Sequence, residues 1–150
     1  MRAVIQRVAR ASVAVDNTII AEIGPGLLIF LGIEAADSES DAVWLSQKIA
    51  KMRLFDDEVR KPNLDLAAID GQALVVSQFT LHASTKKGNR PSFIKAAPPA
   101  HAEPLYLRFS QLLSEHLGKA VPTGKFGAHM NVALVNDGPV TILIDSQRRE

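Results

Sequence analysis

The stretch ALVVSQFTLHA, residues 73–83, decides how this chain is read. Ala73 to Val76 is an unbroken apolar run, as in a strand covered on both faces. Ser77, Gln78 and Thr80 then enter with Phe79 between them, although burying hydroxyls and an amide without partners costs free energy. Residues 72–81 are expected to form one strand. Alternation along it would put Ser77, Phe79 and Leu81 on one face and Gln78 and Thr80 on the other. Two accounts stay open. One is a hydroxyl and amide ladder between strands, with Phe79 in the core. The other is a strand end lining a pocket, with Gln78 and Thr80 as walls and backbone N–H groups free to receive a carbonyl oxygen.

Outward from this strand, the pattern alternates between sheet and helix. MRAVIQRVARASVAVD alternates like a half-buried strand, and Asp16-Asn17 reads as a hairpin turn before the next β-prone run. IGPGLLIFLGI is a turn and then a buried strand. From Ser38 to Phe55 the period becomes helical, with Ser38 or Ser40 as cap. Asp56 to Asp70, with Pro62 and Asn63, reads as an irregular connection. HASTKKGNRPSF is an exposed loop, and Pro98-Pro99 precedes a second helix over about Glu103 to Leu117, with Gly118 as its C-terminal cap. AHMNVALVN and VTILIDS are two β-like runs joined by Asp137-Gly138-Pro139. The class is therefore α+β: two packed, barrel-like β-sheets with helices on one side, a three-layer β-β-α arrangement in one domain over residues 1–150.

Composition narrows the function. Cys is absent, so thiolate ligands, disulfides and cysteine nucleophiles are excluded. Net charge is +1, from 17 basic and 16 acidic side chains, which argues against a bulk polyanion binder but not against a local basic patch. No secretory leader is expected, and the most apolar stretch, Leu27 to Ile33, is too short to span a bilayer. A cytoplasmic protein is expected, without membrane partner. The histidines at 82, 101, 116 and 129 lack ligand spacing, so no metal and no cofactor are expected. Asp56-Asp57-Glu58 reads as solvated acids in a loop. There is no nucleophile elbow, zinc helix motif or phosphate loop. NDGPVT, residues 136–141, is an ordinary turn signal, yet Gly138 lacks a Cβ and admits another molecule close to its carbonyl.

SQFTL at 77–81 and NDGPVT at 136–141 resemble the two signature motifs of the D-aminoacyl-tRNA deacylase family. The likeness runs from AVIQRV at 3–8 through KKGNRPSF at 86–93 and FGAHMNV at 126–132, with no departure at the motif positions. It implies a homodimeric hydrolase that cleaves the ester between a D-amino acid and the terminal adenosine of tRNA. It implies a cis Gly138-Pro139 bond whose carbonyls reach into the partner's pocket, with Arg7 bracing the turn. Asn136, Thr141 and Met130 join that substrate-binding set. Ser77, Gln78, Phe79 and Thr80 form the catalytic strand. Ser77 and Gln78 hold the pocket, Phe79 offers a surface to the adenosine, and Thr80 positions substrate rather than acting as nucleophile, since no base neighbours it in sequence. Lys86, Lys87, Arg90 and Phe93 are expected to meet the aminoacylated 3′ end. Rejection of L-aminoacyl groups by clash predicts weak discrimination against glycine, and so hydrolysis of glycyl-tRNA(Ala). The rivals are a sister deacylase for L-alanyl-tRNA(Thr) with a trans Gly-Pro, and a non-catalytic tRNA-binding dimer.

Overall fold

The computed structural model describes residues 1–149. Its centre is β1 (Arg2–Val15), long enough to serve three partners. One edge pairs antiparallel with β7 (Asn131–Asp145) from Arg2 to Ala14. The other pairs first with β3 (Gly26–Gly32) over Arg2 to Val8 and then with β2 (Thr18–Ile23) over Ala11 to Val15. β3 in turn pairs parallel with β6 (Gln72–Ser77). The β1–β2 turn is Asp16-Asn17, both at positive φ, as a two-residue hairpin with right-handed twist requires.

The two faces of this curled sheet carry separate cores. Ala3, Ile5, Leu27, Ile29, Leu31, Ala73 and Val75 meet the helices α1 (Glu39–Ala50) and α2 (Pro99–Leu117). Val8, Ala11, Val13, Leu28, Leu74 and Val76 fill the inside of the curl. Val8 and Ala11 could not share a face under strict alternation. A register shift of β1 against β7 between Val8 and Arg10 permits it. The layers expected from sequence are thus the two sides of one bent sheet with helices outside, the α+β half-barrel.

Three local expectations change. The strand expected over 72–81 stops at Ser77, and Phe79–His82 forms a 3-10 turn. The runs around Asp137-Gly138-Pro139 do not pair with each other as a hairpin; both pair with β1, as parts of the single strand β7. The connection 56–70 contains a small hairpin, β4 (Phe55–Asp56) with β5 (Pro62–Leu64), whose turn is held by the Asp57 carboxylate accepting from the Val59 and Lys61 N–H groups. α1 starts at Ser38, whose N–H donates to Asp41 at 2.9 Å, and α2 ends at Gly118 with φ +65°.

Candidate active site

The last ladder bond of β6 is Gln78 N–H to Leu31 O, 2.8 Å. Beyond it the chain turns sharply, with Leu81 N–H on Gln78 O at 3.2 Å and Ala83 N–H on Thr80 O at 3.0 Å. The first N–H groups of such a turn have no internal acceptor. Phe79 and Thr80 are these residues, and neither N–H has an acceptor among the described residues. The 3-10 turn breaks the alternation expected for 77–81. Gln78 Nε2 instead donates to Thr80 Oγ1, and Phe79 is 56% exposed rather than in the core.

Around this turn lies a cleft of about 570 Å³. Ser77, Gln78 and Phe79 form one wall, with Leu31 and Ile33 from the end of β3. Phe93 stands edge-on to Phe79, ring centroids 5.2 Å apart. It is returned to the cleft by paired backbone bonds between Ser84 and Ser92, 2.8 and 2.9 Å. The loop so pinched off carries Lys86, Lys87 and Arg90 into solvent. The opposite wall is Phe126 to Met130, a segment that sequence reasoning represented by Met130 alone. It is laid along the free edge of β6 by Val75 N–H on Pro122 O (3.1 Å) and Gly124 N–H on Val75 O (2.9 Å). The Tyr106 hydroxyl donates to Val75 O at 3.0 Å from beneath, and burial pushes its pKa to about 12. His129 is the one titratable side chain among the residues lining this cleft.

The second motif is built elsewhere. Residues 137–140 leave the ladder opposite Arg7, since Gln6 pairs with Thr141 and Val8 with Asn136. Asn136 Nδ2 closes the neck of this excursion by donating to Arg7 O (2.9 Å) and Val140 O (3.0 Å). Thr141 Oγ1 accepts from Gln6 Nε2 at 3.2 Å. The Arg7 guanidinium, itself largely buried, donates from Nε to Asp137 O (3.2 Å) and from Nη1 to Leu54 O (2.7 Å), and faces Asp137 and Asp56 carboxylates at 3.3 and 3.6 Å. Gly138 and Pro139, joined by a cis bond, project exposed from this base.

Within one chain the two motifs lie apart. Ser77 is level with Leu31, Ala3 and Ile144 across the sheet, while the loop faces Arg7. Four residues along β1 and three strands across amount to roughly 13 Å by 14 Å on the sheet. Gly138, Pro139, Arg7, Asn136 and Thr141 are thus one cluster, and Ser77 to Thr80, Phe93 and Met130 another.

The fold and these two clusters define a class: α+β half-barrel proteins with a main-chain turn at one cleft and, apart from it, an arginine-braced cis Gly-Pro loop. Among the described residues no group of His, Cys, Asp and Glu could hold a metal ion. Comparison with known proteins is specific. The family described as D-Tyr-tRNA(Tyr) deacylase matches residues 4–145. The chain is 59% identical over 149 residues to the D-aminoacyl-tRNA deacylase of Christiangramia forsetii, covering 99% of each chain. It is 55% identical over 150 residues to that of Flavobacterium psychrophilum, covering 100% of each. Among solved structures it is similar to the c-Myc DNA unwinding element binding protein, with TM-score 0.90 and 40% identity over 97% of this chain and 98% of that one. A probable eukaryotic D-amino acid tRNA deacylase shares the fold, with TM-score 0.84 at 17% identity over 95% and 97% of the two chains. The chain belongs to the D-Tyr-tRNA(Tyr) deacylase family.

Proposed function

We propose that this chain hydrolyses the ester of D-aminoacyl-tRNA in the cytoplasm, in sites shared between the two copies of a homodimer. The protein is a hydrolase of the deacylase family, and its substrate is the aminoacylated 3′ end of tRNA. The observation that carries the composite site is the separation of the two clusters along one sheet. The unaccepted Phe79 and Thr80 N–H groups can receive the ester carbonyl of one substrate, but only the Gly138-Pro139 loop of a second copy can meet the amino group of that same substrate.

In this reading water adds to the ester carbonyl carbon, and the two N–H groups stabilise the oxyanion, a term worth about 2.7–4 kcal/mol per donor. The carbon–oxygen bond to the ribose then breaks, and the ribose oxygen leaves with a proton. The ribose 2′-hydroxyl beside it relays that proton, so no side-chain base is needed. Gln78 Nε2 donates to the Thr80 hydroxyl oxygen, and among the described residues no side-chain base accepts from that hydroxyl, so Thr80 is given a positioning role. Phe79, with Phe93 behind it, offers the adenosine a stacking face, and Lys86, Lys87 and Arg90 sit where phosphates follow. The Gly138 and Pro139 carbonyls of the second copy hold the amino group, so an L side chain is driven into the main chain while a D side chain points away. Glycine escapes this clash, and glycyl-tRNA(Ala) is a second substrate.

The test is deacylation of D-tyrosyl-, L-tyrosyl- and glycyl-tRNA by wild-type and Thr80→Ala protein. The D and glycyl esters are hydrolysed and the L ester spared, and Thr80→Ala stays within about tenfold of wild type because it keeps the N–H donors. Hydrolysis of the L ester at the D rate, or a trapped acyl-Thr80, would overturn the reading.

A further inference from the structure

We infer that a basic groove beside the 3-10 turn, floored by Trp44, holds the phosphate backbone of the tRNA acceptor arm. The groove, about 810 Å³, lies between α1 and the end of β7, outside the cleft that takes the amino acid. Its lining includes Arg2, Lys48, Arg148 and Arg149 against the single acid Asp145. Four positive charges less one negative leave +3 in the groove, whereas the whole chain carries only +1. The remainder of the molecule is therefore net negative, and the groove is a local concentration of positive charge that favours a polyanion.

The cations are presented for phosphate rather than for bases. The Arg149 guanidinium lies over the Trp44 ring at 4.2 Å from its centroid, and its Nε donates to Ser146 O at 3.0 Å. This fixes the plane and leaves the terminal nitrogens as a fork, the geometry that suits an oxyanion. With its face covered, Trp44 is not a stacking platform. Lys48 adds a point charge on the same helix, 6.0 Å from the ring centroid. Neither Lys48, Arg148 nor Arg149 has a carboxylate within 4.0 Å among the described residues.

Arg2 ties the groove to the reaction site. Its Nε donates to Asp145 at 2.8 Å and its Nη1 to Leu81 O at 3.0 Å, and Leu81 belongs to the turn that carries Phe79 and Thr80. The groove thus begins about one strand spacing, roughly 4.8 Å, from the end of β3. An RNA whose 3′ end enters the cleft has its preceding phosphates within reach of these cations. This inference rests on tRNA being the substrate.

The test compares wild type with Lys48→Ala/Arg149→Ala and Lys48→Glu/Arg149→Glu on D-tyrosyl-tRNA and on D-tyrosyl-adenosine, which has no stem. The KM for the tRNA ester is expected to rise about tenfold with kcat kept. Its dependence on log salt should flatten by about 0.7–0.9 per lost phosphate contact, while the adenosine ester is hydrolysed as before. Equal loss on both substrates would overturn the inference in favour of a structural role acting through Arg2 and the turn. An unchanged tRNA KM would also overturn it. So would a shift of the variants to a smaller species in solution, which would give the groove to the contact between copies. Wild-type protein inert on both esters would instead overturn the deacylase reading, and the inference with it.

Discussion

Gly32 closes the apolar run of β3 and faces the turn that carries Phe79 and Thr80. A Cβ there would lie 2.9 Å from Gln78 O, 2.9 Å from Leu81 Cβ and 3.1 Å from His82 Cδ2. The first of these is backbone and cannot swing aside. Gly32→Ala should therefore shift the turn as a body, at about 1–3 kcal/mol of overpacking. On the proposed reading such a shift moves the Phe79 and Thr80 N–H groups relative to the ester carbonyl, and misplacement by about 1 Å can cost on the order of 100-fold in rate. Melting temperature and kcat measured together check this: a modest fall in the first with a large fall in the second is expected. Full activity would mean that the turn does not depend on the bare backbone of Gly32. The sequence pointed to the other glycine, Gly138, because it stands in a turn signal and lacks a Cβ; in the structure its φ is +133°. Gly32 gave no such signal. In sequence it only ends a hydrophobic run, and its role arises from a turn 46 residues further on packing against it.

At the scale of elements, α1 and the C-terminal segment meet in a polar knot beneath the sheet. The Asp41 carboxylate accepts from Ser38 N–H (2.9 Å), Ser38 Oγ (3.1 Å), Ser146 Oγ (2.8 Å) and Gln147 Nε2 (2.8 Å), while the Met1 ammonium pairs with Asp37 and donates to Ser146 Oγ at 2.9 Å. Burial pushes the Asp41 pKa up. The hydrogen bonds from Ser38 and Ser146 and the nearby ammonium outweigh it, and the net shift is downward. A carboxyl whose folded pKa is depressed stabilises the fold above its ordinary value of 3.8 and loses that contribution as pH falls through the lower, folded value. Asp41→Asn should cost about 1.5–3 kcal/mol at pH 7, and the gap to wild type should narrow as pH falls below 3.8. Denaturant unfolding of both proteins at pH 7, 5 and 3 measures it. A gap independent of pH would show that shape, not charge, matters at Asp41. Elements such as α1 were legible because their signals are local: the Ser38 cap, the Asp16-Asn17 turn, the Gly118 stop. The end of β6 was not. Phe79 and Thr80 both suit a strand, and what ends it is a tertiary event, the packing of the Phe79–His82 turn against the bare backbone of Gly32. The single course of β7 was hidden for a like reason, since only pairing with β1 shows that both halves of NDGPVT share one partner.

For the whole molecule, the deciding facts are the divided site and the state of β7. None of its residues is buried, and Val135, outside the basic groove, is 40% exposed. A 15-residue edge strand in that condition invites pairing or packing with another chain, and a two-fold dimer satisfies it twice. A site shared between two copies, as proposed, would have a consequence that no single-chain site can imitate. Gly138→Val blocks the loop, because a β-branched side chain does not adopt φ +133°. Ala96→Trp fills the cleft that Ala96 lines. Each variant alone should be inactive on D-tyrosyl-tRNA. In a mixed pair, the cleft of the Gly138→Val chain faces the intact loop of the Ala96→Trp chain, and one of the two sites is whole. Coexpression in equal amounts makes half the dimers mixed, so the preparation should recover about a quarter of wild-type activity. Recovery should vanish when the two variants are purified separately and mixed without subunit exchange. If coexpression restores nothing while each variant stays folded and dimeric, loop and cleft work within one chain, and the separation along the sheet must be bridged by a movement of β7 instead.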